Sequence, residues 1–316
     1  MQRLRNYIQL FLKGVAMGGA DVVPGVSGGT IAFITGIYGT LLDSIKSFNL
    51  EAIQLLLKFK IKPLWEHVNG SFLLTLLSGI ALSIITLAQL IHIFLENYPI
   101  QLWSFFFGLV IIAAVSVSRE IKNWSVGVII AGGLGIVIAF IITLATPAET
   151  PTASWFVFLS GAVAICAMIL PGISGSFILL ILGKYAYILE AVNERDLGVI
   201  AIFGVGCIIG LLSFARIISW LLHKFHDVAV ALLAGFMIGS LNKIWPWKEV
   251  VQTRVNSKGE EVPFITENVL PGEYLEATSM DPLLWQALLF MLLGIGIVVF
   301  LEQFATRRSR KITSAS

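Results

Sequence analysis

The chain has 316 residues, of which 57% are hydrophobic and only 13% charged, and its mean hydropathy is +0.90. Soluble proteins carry about 25% charged residues and about 45–50% apolar ones, so a wholly water-bathed surface is excluded and lipid must be the main solvent. The formal net charge of +2 decides nothing as a total, because in a membrane protein the position of each charge carries the information.

A spanning helix needs ~20 apolar residues, each adding ~1.5 Å against a ~30 Å hydrocarbon core. Residues 4–45 are apolar but interrupted near the middle by a Pro-Gly cluster, and residues 1–13 lack the apolar core and small-residue site of a cleavable leader. The region reads as a re-entrant hairpin that enters and leaves on one side. Segment 48–64 mixes Phe48, Leu50, Ile53, Leu56 and Leu57 with lysines, which suits an interfacial helix or a solvated loop. Ordinary spans follow at 71–95, 101–118 and 124–146. A second interrupted region, 154–192, reads as another hairpin, and spans at 198–222, 228–244 and 283–304 complete the series. Between the last two, 243–282 is polar and acidic and reads as an external loop too poor in apolar residues to build a core. Trp245-Pro246-Trp247 reads there as an aromatic belt at the outer boundary.

Charge tests this topology. With Arg3 and Arg5 in the cytoplasm, the first hairpin returns to Lys46, Lys58, Lys60 and Lys62 on the same side. The loops at 96–99 and 146–154 then fall outside and hold no Lys or Arg, whereas Arg119, Lys122 and Lys224 fall inside, as do Arg307, Arg308, Arg310 and Lys311 at the C-terminus. Basic residues favour cytoplasmic loops, and the agreement would fail downstream of any hairpin that crossed an odd number of times.

The two interrupted regions also match each other. Ala20-Asp21-Val22-Val23-Pro24-Gly25-Val26-Ser27-Gly28-Gly29 aligns without gaps to Ala167-Met168-Ile169-Leu170-Pro171-Gly172-Ile173-Ser174-Gly175-Ser176, and the same register pairs Gly36 with Gly183 and Tyr38 with Tyr185. A hairpin plus three crossings is an odd number, so the second copy is inverted. The expected fold is all-α and polytopic, with inverted repeats at 1–146 and 147–316. Such repeats, with discontinuous helices near the midplane, mark secondary transporters. Pro24-Gly25 and Pro171-Gly172 should break the helices, and Ser27 and Ser174 are placed to cap the returning ones. A half-helix N-terminus offers N–H donors and a positive dipole end to a phosphate or carboxylate, with Gly28, Gly29, Thr30, Gly175 and Ser176 around it. The alternative is a kinked helix packed closely through small residues.

Four charged residues near these elements invite a role beside a plainer reading. Asp21 lies deep, where a carboxylate costs ~2.5–3.5 kcal/mol on insertion scales; it either couples a proton or caps local amides. Arg216, about 9 Å inside its span, either meets a headgroup or snorkels. Arg119 and Lys184 read as interfacial anchors or as points of phosphate capture. Enzyme readings lack support: His67, His92, His223 and His226 form no HExxH motif, His223-x-x-His226-Asp227 falls at a turn, and no nucleophile elbow or P-loop occurs. Cys166 and Cys207 sit in apolar runs and suggest neither a disulfide nor a metal.

Gly18-Gly19-Ala20-Asp21-Val22-Val23-Pro24-Gly25-Val26-Ser27-Gly28-Gly29-Thr30, followed by Pro171-Gly172-Ile173-Ser174-Gly175-Ser176 and Trp245-Pro246-Trp247, resembles the PopT-type polyprenyl-phosphate translocases along nearly the whole chain. The resemblance implies transport of undecaprenyl phosphate from the outer to the inner leaflet of the bacterial plasma membrane, with no cofactor and no catalysis. A small-anion carrier or channel could use the same amides and stays open as the second reading.

Overall fold

The first helix of each half stops at its Pro-Gly pair. In the computed structural model, which describes residues 2–23, 25–255 and 261–313, α1 (Gln2–Val22) precedes the first pair, and Pro24 lies outside the described residues. Beyond it Gly25 adopts φ +86°, a region open to glycine at little cost, and the chain turns back through α2 (Gly28–Ile34) into α3 (Tyr38–Lys46). After α4 (Leu50–Leu57), α5 (Ile61–His67), α6 (Gly70–Asn97), α7 (Pro99–Ser118) and α8 (Val126–Leu144), the sequence of events recurs. Helix α9 (Ser154–Ile169) stops before Pro171, Gly172 adopts φ +90°, and α10 (Gly175–Ile181) returns beside α9 into α11 (Tyr185–Asn193), which is bent 107° from it. The expected hairpins at 4–45 and 154–192 are therefore each built of three helices.

Helices α6, α7, α8 and α12 (Leu197–Lys224) are long and apolar enough to cross a membrane. Their outer faces present bare aliphatic side chains; Ile85 of α6, for instance, is 78% exposed. The span expected at 228–244 is shorter than its sequence suggests: α13 (His226–Ser240) has 15 residues, about 22 Å, and Leu241–Ile244 form a turn. The lysine-bearing segment 48–64 is helical but split, because Phe59 takes a positive φ of 53° between α4 and α5.

Glycines decide which helices touch. A Cβ at Gly14 or Gly79 would strike the backbone of the partner in the α1–α6 pair, and Gly161 and Gly206 do the same for α9–α12. Gly135 and Gly235 join α8 to α13, while Gly108 and Gly294 join α7 to α15 (Leu284–Thr313). Small residues allow such close approach, which supplies much of the packing energy where lipid removes the hydrophobic drive. All four pairs run parallel. Segments 1–146 and 147–316 are thus interlocked: α7 and α8 of the first lie against α15 and α13 of the second. Gly235→Val is expected to destabilise the fold by about 1–3 kcal/mol, read as a lower thermal midpoint in detergent.

The polar loop at 243–282 has more structure than its composition suggests. Strands β1 (Lys248–Val255) and β2 (Glu261–Asn268) form an antiparallel hairpin, and α14 (Pro271–Thr278) follows. Trp247 does not sit in an interfacial belt. It is buried with Ile100, Tyr274 and Ala287, its indole donates to Pro282 O at 2.8 Å, and Trp245 donates to Val269 O at 2.9 Å, so the pair bolts the hairpin to α7 and α15.

Candidate functional site

The two breaks meet. A helix C-terminus leaves its last carbonyls without partners inside the helix, and α9 ends inside the protein, where water does not reach them freely. The first half supplies the donors: Ser27 Oγ donates to Met168 O at 3.1 Å and Tyr38 OH to Ile169 O at 3.3 Å. In return the Gly172 amide donates to Thr30 Oγ1 at 3.1 Å. Ser27, Thr30 and Tyr38 are all buried. Contact is close enough that a Cβ on Gly29 would lie 2.6 Å from Ile169 O.

The amide clusters behind the two breaks differ. At the start of α2 every donor is taken: Gly28 N donates to Asp21 Oδ1 at 2.6 Å, Gly29 N to Ser27 Oγ at 3.1 Å, and Thr30 N to Ser27 O at 3.0 Å. The chain's own carboxylate thus occupies the place expected for a ligand anion, and Asp21 has no cation within 4 Å among the described residues. At α10 the register of Asp21 holds Met168, Ser174 makes no cap bond and instead pairs with Ser176 Oγ at 2.7 Å, and Ser176 is exposed. Pro171, Gly172 and Gly175 are buried; a Cβ on Gly175 would lie 2.7 Å from Ala164 O, which holds α10 against α9.

Beside α10 lies a cavity of about 430 Å³ between the ends of α8 and α13 and the β-hairpin. Two lysines line it that the sequence reading passed over. Lys243 Nζ stands 4.2 Å from the Phe177 ring centroid, and Lys248 Nζ stands 4.1 Å from that of Trp103. Lys248 also donates to the Lys243 carbonyl at 2.5 Å. Among the described residues no carboxylate lies within 4 Å of either ammonium, although Glu267 forms part of the wall. Burial and the neighbouring Lys243 charge push Lys248 down to about 7. The Lys243 stem touches the tip of the first hairpin, where a Cβ on Gly25 would come within 2.9 Å of its Cγ. A signal was present in the sequence. Lys243 and Lys248 flank Trp245-Pro246-Trp247 at the end of a span that the loop charges would place outside, where basic residues run against the charge rule.

The remaining charged candidates do not join this cluster. Lys184 is buried rather than superficial: it donates to Thr150 O at 2.8 Å between the rings of Phe156 and Tyr187, so it fastens the loop before α9 and is not free for a headgroup. Arg216 is exposed and donates to Phe48 O at 3.2 Å, away from the crossing, and Arg119 is exposed at the end of α7. His223 bonds Ser219 of its own helix, Asp227 accepts the Lys122 and Asn123 amides, and no cluster able to hold a metal occurs among the described residues.

Residues 17–262 match the family described as undecaprenyl phosphate translocase-like. The chain is 48% identical to a polyprenyl-phosphate transporter of Vibrio cholerae over 96% of its own length and 98% of that protein's. It is 34% identical to a polyprenyl-phosphate transporter of Staphylococcus aureus over 74% of this chain and 85% of the other. No solved structure matches.

Proposed function

The chain belongs to the undecaprenyl phosphate translocase-like family, and on that premise we propose that it carries a polyprenyl phosphate across the bacterial inner membrane, returning it from the outer to the inner leaflet. The observation that carries the mechanism is the crossing of two broken hairpins, in which side chains of one half satisfy the broken end of the other. Irregular backbone at membrane depth is tolerated where protein or a polar cavity pairs it, and a pairing held by three hydrogen bonds between two bodies can be exchanged for another as the bodies move.

We read 1–146 and 147–316 as inverted repeats, supported by the shared register of Gly25 with Gly172 and by the reciprocal packing of α8 on α13 and α7 on α15. Both termini are then cytoplasmic, and the cavity between α8, α13 and the β-hairpin faces outward. In this reading the phosphate is held on the second hairpin, around Ser174, Gly175 and Ser176, because the amides behind Ser27 are occupied by Asp21. The prenyl tail stays in the bilayer. Rocking of the halves exposes the headgroup to each leaflet in turn, and a proton on Asp21, by neutralising the carboxylate that accepts from Gly28 N, is the coupling step.

Cells that lack this protein and any redundant carrier should accumulate undecaprenyl phosphate on the outer surface, measured with a headgroup-specific probe. Wild type should reverse the accumulation. Unchanged surface levels in such cells would overturn the lipid reading and favour a small-anion carrier.

A further inference from the structure

We propose that Lys243 and Lys248 form the outward capture site for the phosphate monoester headgroup, which binds in the cavity beside α10 before it reaches the hairpin crossing. The proposal rests on the polyprenyl-phosphate reading and adds the site of first contact. Burying one unpaired cation is costly and burying two together more so, since the desolvation of each is not repaid by the other. Here the two ammoniums share a cavity with no carboxylate within 4 Å among the described residues. Each instead rests on an aromatic face, Phe177 or Trp103, an arrangement that holds a cation and leaves its outer hydrogens free to donate. Burial and the neighbouring Lys243 charge lower Lys248 to about 7, a shift that a bound anion would oppose. A dianion offsets the repulsion between the two lysines and accepts several charge-assisted hydrogen bonds.

The shape of the cavity fits a headgroup with an apolar chain attached. Its lysines stand on one side, and Leu144, Leu180 and Ile181 form another wall. Leu144 is 60% exposed, so this wall runs out to the membrane-facing surface, where the first prenyl units can lie. The inner end of the site adjoins the machinery already described. Phe177 is the third residue of α10, just beyond Ser176, and the Lys243 stem packs over Gly25 at the tip of the first hairpin. A headgroup released from the lysines is therefore delivered to the start of α10, and a movement of the first hairpin moves Lys243 with it.

Lysine labelling and binding test this on the full chain in nanodiscs. In wild type, undecaprenyl phosphate should protect Lys243 and Lys248 from an amine-reactive acylating reagent, read residue by residue by mass spectrometry, while the exposed Lys60 serves as the internal comparison. Inorganic phosphate at the same concentration should protect several-fold less; equal protection by inorganic phosphate would overturn the lipid assignment. The Lys243→Gln/Lys248→Gln pair should weaken undecaprenyl phosphate binding at least 10-fold, and the Lys243→Arg/Lys248→Arg pair should stay within about 3-fold of wild type, since arginine keeps the charge-assisted hydrogen bonds that glutamine loses. Labelling of the wild-type protein makes the result independent of whether the glutamine pair folds. Absence of lipid protection, or wild-type binding by a folded glutamine pair, overturns the capture site. Failure of the wild-type protein to move the lipid between leaflets would instead strike the transport reading, which the labelling does not measure.

Discussion

Gly29→Ala is expected to lower polyprenyl-phosphate transport by at least 10-fold while the protein still inserts and purifies. The new Cβ would lie 2.6 Å from Ile169 O, a backbone atom at the end of α9 that cannot swing away as a side-chain tip does. Overpacking of this kind costs about 1–3 kcal/mol. The strain falls where the two hairpins exchange hydrogen bonds, so the tips must separate, and Ser27 and Tyr38 lose the carbonyls they serve. Gly39→Ala is the control: it lies one helix further on, and a Cβ there meets nothing within 4 Å. Flux measured in liposomes should separate the two variants, and equal flux at equal insertion would show that the contact between the tips has no part in transport.

Substitution at Asp21 is expected to have the second large effect, and to split by the residue chosen. Asp21→Leu removes the acceptor of the Gly28 amide. A buried donor left without a partner costs about 1–3 kcal/mol, so α2 should fray at its start and transport should fall at least 10-fold. Asp21→Asn keeps an oxygen for that amide and should insert and fold normally. If a proton on Asp21 couples the cycle, the asparagine protein moves lipid without responding to an imposed pH gradient, whereas wild type responds. A gradient response that survives in Asp21→Asn would assign coupling to another group.

These two positions differ in how far the sequence discloses them. The breaks themselves were legible, because Pro-Gly followed by Ser-Gly has a direct physical meaning in an apolar run and occurs twice in register. Each expected span has a helix in the structure, since apolar length and loop charge report the bilayer directly. The asymmetry between the breaks was only half legible. Asp21 opposite Met168 announced a difference, but not that the carboxylate reaches forward seven residues to fill its own amide site. The burial of Lys184 is not legible, because spacing along a chain says nothing about the 107° bend between α10 and α11, beside which its ammonium donates to Thr150 O. Trp245 and Trp247 were read as a belt because aromatic residues near a span usually are one; the β-hairpin that buries Trp247 comes from a polar segment with little periodicity. Lys243 and Lys248 are hidden by the acidic total of their loop, although two basic residues at a span end that the charge rule would place outside are an anomaly.

The crossing also bears on why two inverted copies, as proposed for 1–146 and 147–316, would serve a lipid carrier. A headgroup must leave one leaflet and enter the other while its tail stays in hydrocarbon, so the site needs two equivalent exits on opposite faces. In the proposed inverted-repeat reading, two broken hairpins entering from opposite sides would provide them. The amides are unequally occupied, the Gly28 amide at α2 being taken by Asp21 while Ser174 at α10 makes no cap bond.

The most direct test is transbilayer movement in liposomes that contain only the purified chain. Labelled undecaprenyl phosphate placed in one leaflet should reach the other at least 10-fold faster than in protein-free vesicles, and inorganic phosphate or chloride trapped inside should not escape faster. Movement of the small anions with no acceleration of the lipid would contradict the account and make the hairpin crossing the filter of an anion pathway.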